Sequence, residues 1–129
     1  MEYYFSKVIK TSFDEGVKII TDALKVEGFG IISEINIHDK LNEKLGVEFK
    51  KYRILGACNP SFAYKALQAE DKIGTMLPCN VLVIDQGDGM IEIAAVNPIA
   101  SMMSIQNPGL EQVALEVTDK LKKVIDSIS

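Results

Sequence analysis

The chain has 129 residues, of which 47% are hydrophobic and 25% are charged, and its formal net charge is −4 at pH 7. These proportions are typical of one folded domain covering residues 1–129, and they exclude a disordered chain. The acidic balance, with a pI near 5.0, argues against a nucleic-acid partner, because a protein that binds the phosphate backbone needs a basic face.

The first residues carry no targeting signal that we recognise. Residues 1–7 lack the basic segment, apolar core and cleavage site of a signal peptide. No apolar run approaches the ~20 residues that span a bilayer. We therefore expect a cytoplasmic protein without a membrane partner. Thiols stay reduced in the cytoplasm, so Cys58 and Cys79 are expected to be free.

The N-terminal part predicts a strand, a helix and a second strand. Residues 3–10 are rich in aromatic and β-branched side chains, which favour a strand. Ser12 and Glu15 have capping-box spacing, and Gly28 ends the helix because glycine adopts a positive φ without strain. Residues 29–37 predict the second strand. Strict alternation would place four of its apolar side chains on one face, namely Phe29, Ile31, Ile35 and Ile37.

The middle of the chain predicts a short helix, a strand and a longer helix. The short helix covers residues 39–45 and ends at Gly46, and the third strand covers residues 52–58. Asn59 and Pro60 predict the start of a helix of roughly ten residues. Asparagine caps such a helix, and proline fits its first turn, where a missing N–H costs nothing.

The C-terminal part predicts a hairpin followed by two helices. Residues 75–84 and 90–96 predict two strands, joined by a turn at 85–89 whose residues tolerate positive φ. Asn97 and Asn107, each followed by proline, predict the starts of a short and a long helix. The long helix carries a continuous apolar stripe, formed by Leu110, Val113, Val117, Leu121, Val124 and Ile128.

The order of these elements is β-α-β-(α)-β-α-β-β-(α)-α. It predicts an α+β fold with a single, mostly antiparallel five-stranded sheet, two long helices on one face and short inserted helices. Regular alternation of strands and helices would instead favour a parallel, doubly wound sheet, but the hairpin between the last two strands interrupts it.

Two cysteines mark the densest candidate region for chemistry. Cys58 ends a strand directly before a helix, and the N-terminus of a helix carries partial positive charge that stabilises a thiolate. Cys79 opens the following strand, so antiparallel pairing of the two strands would bring the thiols close together. Three interpretations stay open: cysteines that only pack, a functional thiol or ligand pocket, and a metal site. Met102, Met103 and a partner subunit would add soft ligands for Cu(I).

Arg53 is the only arginine in the chain and His38 the only histidine. The planar guanidinium of Arg53 suits recognition of a carboxylate or phosphate, although alternation places it on the opposite side from Cys58. A surface or interface ion pair is the simpler interpretation. His38 and Glu34 have a spacing that would allow an acid-base pair, and a solvated surface is again the simpler interpretation.

At these residues the sequence resembles the Domain of Unknown Function 302 family over nearly the whole chain. The resemblance is carried by Gly28-Phe29-Gly30-Ile31 with Glu34-Ile35, Leu45-Gly46-Val47 with Phe49, residues 52–60, and residues 77–81. It implies a fold like half of the TATA-binding protein, with the order β-α-β4-α, often found as dimers, and it implies no established activity. It also implies that six residues are motif positions without assigned roles, namely Cys58, Asn59, Pro60, Pro78, Cys79 and Asn80.

The leading hypothesis of function is a small homodimeric module that binds a small molecule through a Cys-Asn site. The candidate ligand-binding residues are Cys58, Asn59, Pro60, Cys79, Asn80 and Arg53, and catalytic residues and cofactors are unassigned. The alternatives are a dithiol redox or thiol-transfer enzyme in which Cys79 resolves Cys58, and a soft-metal binding protein. In a third, purely structural reading, both cysteines belong to the core.

Overall fold

The structure, a computed structural model, describes residues 2–129. Its strands are β1 (Tyr4–Lys10), β2 (Gly30–Asn36), β3 (Tyr52–Cys58), β4 (Cys79–Gly87) and β5 (Met90–Val96). Its helices are α1 (Phe13–Val26), α2 (Ile37–Leu45), α3 (Pro60–Ala69), α4 (Pro98–Met102) and α5 (Pro108–Ser127), with a 3₁₀ turn at Asp71–Met76. None of these helices is long and apolar enough to cross a membrane.

The strands form one antiparallel sheet in the order β1-β5-β4-β3-β2. The predicted α+β fold is therefore confirmed, with β4 at the centre and β1 and β2 at the edges. Both long helices pack on the same face of the sheet and against each other. The other face of the sheet is left open.

The core lies between the long helices and the covered face of the sheet. Its fully buried side chains come from several elements and include Ile20, Leu24, Leu55, Val81, Val83 and Ile93. All six residues of the apolar stripe predicted for α5 are buried as well. Because burial of a Leu or Ile side chain contributes about 1.5–3 kcal/mol, this layer is the main source of stability.

At three predicted helix starts, those at Ser12, Asn97 and Asn107, the side chain makes the expected capping bond. The hydroxyl of Ser12 accepts a hydrogen bond from the N–H of Glu15 at 3.1 Å. The amide oxygens of Asn97 and Asn107 each accept one from the N–H two residues ahead, also at 3.1 Å. Gly28, beyond the end of α1, has a φ of +88°, as expected of a glycine that ends a helix.

The start of β4 differs from the prediction. The strand was predicted for residues 75–84, but it begins at Cys79 and runs to Gly87. Thr75 lies instead in the 3₁₀ turn. Pro78 separates this turn from the strand, because proline lacks the N–H that a ladder of hydrogen bonds needs.

The alternation predicted for the second strand is wrong. Ile31 lies opposite Ala57 and Ile35 lies opposite Ile54, with a shift of register between Ile31 and Ser33. Opposite residues of an antiparallel pair point to the same face, and Ala57 and Ile54 point to different faces because they are three residues apart. The extra residue of this bulge directs Ile31 towards the helices and Ile35 to the open face.

Candidate functional site

A cavity of about 340 Å³ opens where the last residues of β3 and the first residues of β4 meet α3 and α5. Its walls are almost entirely apolar and include Phe29, Phe62, Leu77, Met102, Val113 and Val117. Cavities of about 300–1,000 Å³ with mostly apolar walls are typical of small-molecule sites. The cavity exists because the connection from β3 to β4, residues 59–78, passes over the sheet as α3 and the 3₁₀ turn.

Both cysteines line this cavity and neither forms a disulfide. The predicted antiparallel pairing of their strands is found, and its register places Cys79 opposite Ala57, one residue before Cys58. The two cysteines are therefore offset by one residue across β3 and β4. Cys58 is half-buried, whereas Cys79 is only 9% exposed.

The Cys79 thiol is held in its protonated form. Burial, and secondarily the neighbouring Cys58, raises the pKa of Cys79 from 9.0 to about 11. The thiolate is the nucleophilic and metal-binding form of cysteine. At neutral pH Cys79 is therefore a weak nucleophile, and it serves the cavity as a small apolar wall residue.

Asn59 connects the cavity to the end of α1. It occupies the N-cap position of α3, but its side chain makes no capping bond, so the predicted capping role is wrong. Its Nδ2 atom donates instead to the carbonyl oxygen of Glu27 at 3.2 Å. A Cβ added to Gly28 would lie 3.1 Å from the same Nδ2. The glycine therefore allows the close approach of Asn59.

Two further predicted site residues lie close in sequence to the cysteines but do not line the cavity. Pro60 is exposed as the first residue of α3. Asn80 is exposed on the open face of the sheet, opposite Gly56, where it borders a separate hollow. The structure thus brings together Cys58, Asn59 and Cys79 at the cavity and places these other two outside it.

Arg53 lies at the far end of β3 from the cavity. Five residues of extended strand, about 16 Å, separate it from Cys58. Its Nε donates to Oδ1 of Asn36 at 2.8 Å, and its guanidinium lies 5.3 Å from the centre of the Phe13 ring. Arg53 therefore holds the edge strand β2 and the start of α1 at the opposite end of the sheet.

His38 joins α2 to β3. Its Nδ1 accepts a hydrogen bond from the backbone N–H of Tyr52 at 3.0 Å, and its half-buried ring lies edge-on to Phe13. Its contacts are therefore with Tyr52, Phe13 and the carboxylate of Asp39, which lies 3.8 Å from Nε2, and not with Glu34 in an acid-base pair. The expectation of a solvated histidine is also wrong, because α2 folds back over the start of β3.

The residues of the cavity that sequence reasoning missed are its helical walls. Ala63 and Ala66 on α3 and Ala114 on α5 all line the cavity. Three alanines on two neighbouring helices leave space that larger side chains would fill. The small size of these side chains was the available signal in the sequence, but only the packing of α3 against α5 places all three around one cavity.

Three sulfur-containing residues line the cavity. Met102 lines it together with Cys58 and Cys79, whereas Met103 is 71% exposed and does not. Within residues 2–129, no group of three or more His, Cys, Asp or Glu side chains is placed to hold a metal ion.

The sequence and the fold of this chain match those of known proteins. The sequence model of the family described as "Domain of unknown function DUF302" matches residues 5–128. The crystal structure of an uncharacterized conserved protein DUF302 from Bacillus stearothermophilus matches with a TM-score of 0.90 and 27% sequence identity, over 100% of both chains. No curated protein matches the chain. The similarity covers the whole domain and names no activity.

Proposed function

This chain belongs to the DUF302 family, and we propose that it is a binding module for a small, largely apolar molecule that enters the cavity between α3, α5 and the ends of β3 and β4. The observation that carries this proposal is the cavity itself, about 340 Å³ with apolar walls and with Cys58 and Asn59 among its few polar groups.

The apolar walls of the cavity favour an apolar ligand. A polar group that enters without a hydrogen-bond partner costs about 1–3 kcal/mol, and the donors of Asn59 include one already committed to Glu27. Apolar surface, in contrast, gains about 25 cal/mol for each Å² that it buries. The proposed ligand therefore has an apolar body within the cavity and at most one polar end, close to Cys58.

The two thiols have different parts in this proposal. Cys58 is half-buried and is the sulfur that a reactive ligand would meet, whereas the raised pKa of Cys79 suits a wall residue. Their one-residue offset supports ligand binding more than dithiol exchange, since successive side chains of a strand point to opposite faces and a disulfide needs Cβ atoms that point towards each other. A cytoplasmic location goes with the proposal, because free thiols persist in a reducing compartment.

Native mass spectrometry of the protein, purified in reductant, is the first test. We expect a fraction of the protein to carry a small organic mass that is lost on denaturation. An added mass equal to a copper or zinc ion would instead support soft-metal binding. A loss of two hydrogens under mild oxidant, reversed by reductant, would support the dithiol alternative.

A dye titration with cavity variants tests the location of binding. Nile red, a neutral dye that fluoresces in apolar surroundings, is the probe. Ala63→Leu narrows the cavity, and we expect it to weaken dye binding about tenfold or more, which corresponds to about 1.4 kcal/mol. Gln68→Leu is the matched control, because it adds the same side chain to an exposed position of the same helix, outside the cavity. Equal binding by both variants would contradict the proposal.

A further inference from the structure

The cavity follows one row of residues across the end of the sheet. Ala57 on β3 lies opposite Ile31 on one side and Cys79 on the other, and the pairing of β4 with β5 continues this row to the end of β5. The lining residues accompany the row, from Ile32 on β2 to Pro98 just beyond β5. Four neighbouring strands span three spacings of about 4.8 Å, roughly 14 Å in all. The cavity is therefore elongated across the strands.

The end of the cavity at the edge strand β2 is open. Ile32, the extra residue of the bulge in β2, lines the cavity and is 64% exposed. Cys58 and Asn59 follow β3, the strand next to β2, so the polar groups of the cavity lie towards the same end. A ligand that enters here keeps its polar end near the opening and sends its apolar part inwards.

The far end of the cavity borders a second hollow. We call it the distal hollow; its volume is about 330 Å³ and its walls include Ile99, Met102, Ile105, Leu110, Ala114 and Leu115. Among the described residues around it, Glu111 carries the one charge. Met102 on α4 and Ala114 on α5 line both the cavity and the distal hollow. These two side chains therefore form the partition between two apolar spaces.

The partition consists of one short side chain and one adaptable side chain. Alanine ends at Cβ, and methionine is unbranched with three rotatable bonds, so it repacks easily. α4 is held at its start, where the N–H of Ile99 donates to Oδ1 of Asn97 at 3.1 Å, and Met102 is its last residue. Rotation of the Met102 side chain would join the cavity to the distal hollow without moving the sheet or the long helices.

Positive charge lies near the polar end of the cavity. Phe62, one turn after Asn59 on α3, lines the cavity. The Nζ atoms of Lys65 and Lys120 lie 5.4 Å and 5.9 Å from the centre of its ring. Lys120 also lies 3.7 Å from Glu27, whereas Lys65 has no carboxylate partner among the described residues. This arrangement favours an anionic polar end over a neutral one.

We propose that the ligand is a fatty acid: an unbranched alkyl chain that crosses the cavity, passes Met102 and ends in the distal hollow, with its carboxylate at the opening near Lys65. This inference rests on the proposed function of the cavity. A long path past one side chain admits a linear, flexible chain and rejects a rigid ring system. The chain also covers Leu115, which is 49% exposed at the distal hollow, and burial of such apolar surface favours binding.

A chain-length series tests the shape of the ligand. Hexanoate, decanoate and tetradecanoate compete with Nile red on the full chain, below their micellar concentrations. Each buried methylene should tighten binding about fourfold, and the gain should continue from decanoate to tetradecanoate, which is longer than the cavity. Decanol should bind a few-fold more weakly than decanoate. Equal binding of decanoate and tetradecanoate, or of decanol and decanoate, would overturn this inference alone. No binding of Nile red or of any chain would overturn the proposed function as well.

A charge in the distal hollow tests where the chain ends. Leu115 lines the distal hollow and not the cavity. We expect Leu115→Asp to weaken tetradecanoate about tenfold and to leave decanoate unchanged, which also shows that the variant is folded. Gln112→Asp is the matched control, because it places the same carboxylate at an exposed position of α5 outside both spaces. Equal affinity of Leu115→Asp and Gln112→Asp for tetradecanoate would overturn the proposal.

A crystal structure with tetradecanoate brominated at its terminal carbon locates the chain directly. We expect the anomalous peak of bromine in the distal hollow beside Leu115, with the Met102 side chain rotated away from its present position. A bromine peak at the opening beside Ile32, or a chain folded entirely within the cavity, would overturn the proposal.

Discussion

The Nδ2 atom of Asn59 lies 3.2 Å from the carbonyl oxygen of Glu27 and donates a hydrogen bond to it. This bond joins residues 32 positions apart and ties the start of α3 to the end of α1. The carboxylate of Glu27 in turn lies 3.7 Å from Nζ of Lys120 on α5. Three helices therefore meet at one side of the cavity, and Asn59 acts as a tether there and not as a helix cap.

Replacement of Asn59 by aspartate distinguishes a tether from a cap. Aspartate caps helices as well as asparagine does, so a capping role predicts unchanged stability. A tether needs a donor, which aspartate lacks, and its carboxylate would face the carbonyl of Glu27. We expect Asn59→Asp to lower the free energy of unfolding by about 1–3 kcal/mol, measured by urea unfolding followed by circular dichroism.

Ser12→Asp is the control for this experiment. Ser12 accepts the capping bond of α1 from Glu15, and aspartate can accept the same bond. We expect its free energy of unfolding to stay within about 0.5 kcal/mol of the parent value. If Asn59→Asp is as stable as Ser12→Asp, the bond to Glu27 does not hold α3 in place.

Gly56 is required by the side chains that lie over it. A Cβ at this position would overlap the hydroxyl of Ser33 and lie 2.7 Å from Cγ of Pro78. We expect Gly56→Ala to destabilise the fold by about 1–3 kcal/mol, the usual cost of overpacking. Gly30→Ala is the control, because a Cβ on Gly30 meets nothing within 4 Å. Equal urea midpoints for the two variants would contradict this account.

The buried thiol of Cys79 predicts a loss of stability at alkaline pH. Its folded pKa of about 11 lies above the ordinary value of 9.0, so between these values the unfolded chain releases a proton that the folded chain retains. Stability therefore falls as the pH rises through this window, by about 3 kcal/mol from this group. Urea unfolding across the window should show a steeper decline for the parent protein than for Cys79→Ala. Parallel declines would show that the Cys79 thiol does not titrate in this way.

The two thiols should differ in their reaction with N-ethylmaleimide. A pKa of about 11 makes the thiolate of Cys79 about a hundredfold scarcer at neutral pH than that of an ordinary thiol. We expect rapid addition of one label to the native protein, at the half-buried Cys58, and a second label only after unfolding. Cys58→Ala should remove the rapid phase and Cys79→Ala should keep it. Rapid labelling of Cys58→Ala would mean that the cavity exposes Cys79.

The local features of this protein could be predicted from its sequence alone. The caps at Ser12, Asn97 and Asn107 and the apolar stripe of α5 are found as predicted, and β3 has the predicted bounds. Each of these signals depends on residues within a few positions of one another, because capping bonds and helical periodicity act over one or two turns. The antiparallel pairing of the two cysteine strands, which the sequence raised as a hypothesis, is also found.

The site itself was decided by the tertiary structure. The amide of Asn59 bonds across 32 positions, and the bulge in β2 reverses the faces of Ile31 and Ile35. The alanines of α3 and α5 face one cavity only because these helices pack together over the sheet. None of these relationships has a periodic signature in the chain, because each depends on contacts between elements that are distant in sequence and become neighbours only when the core forms.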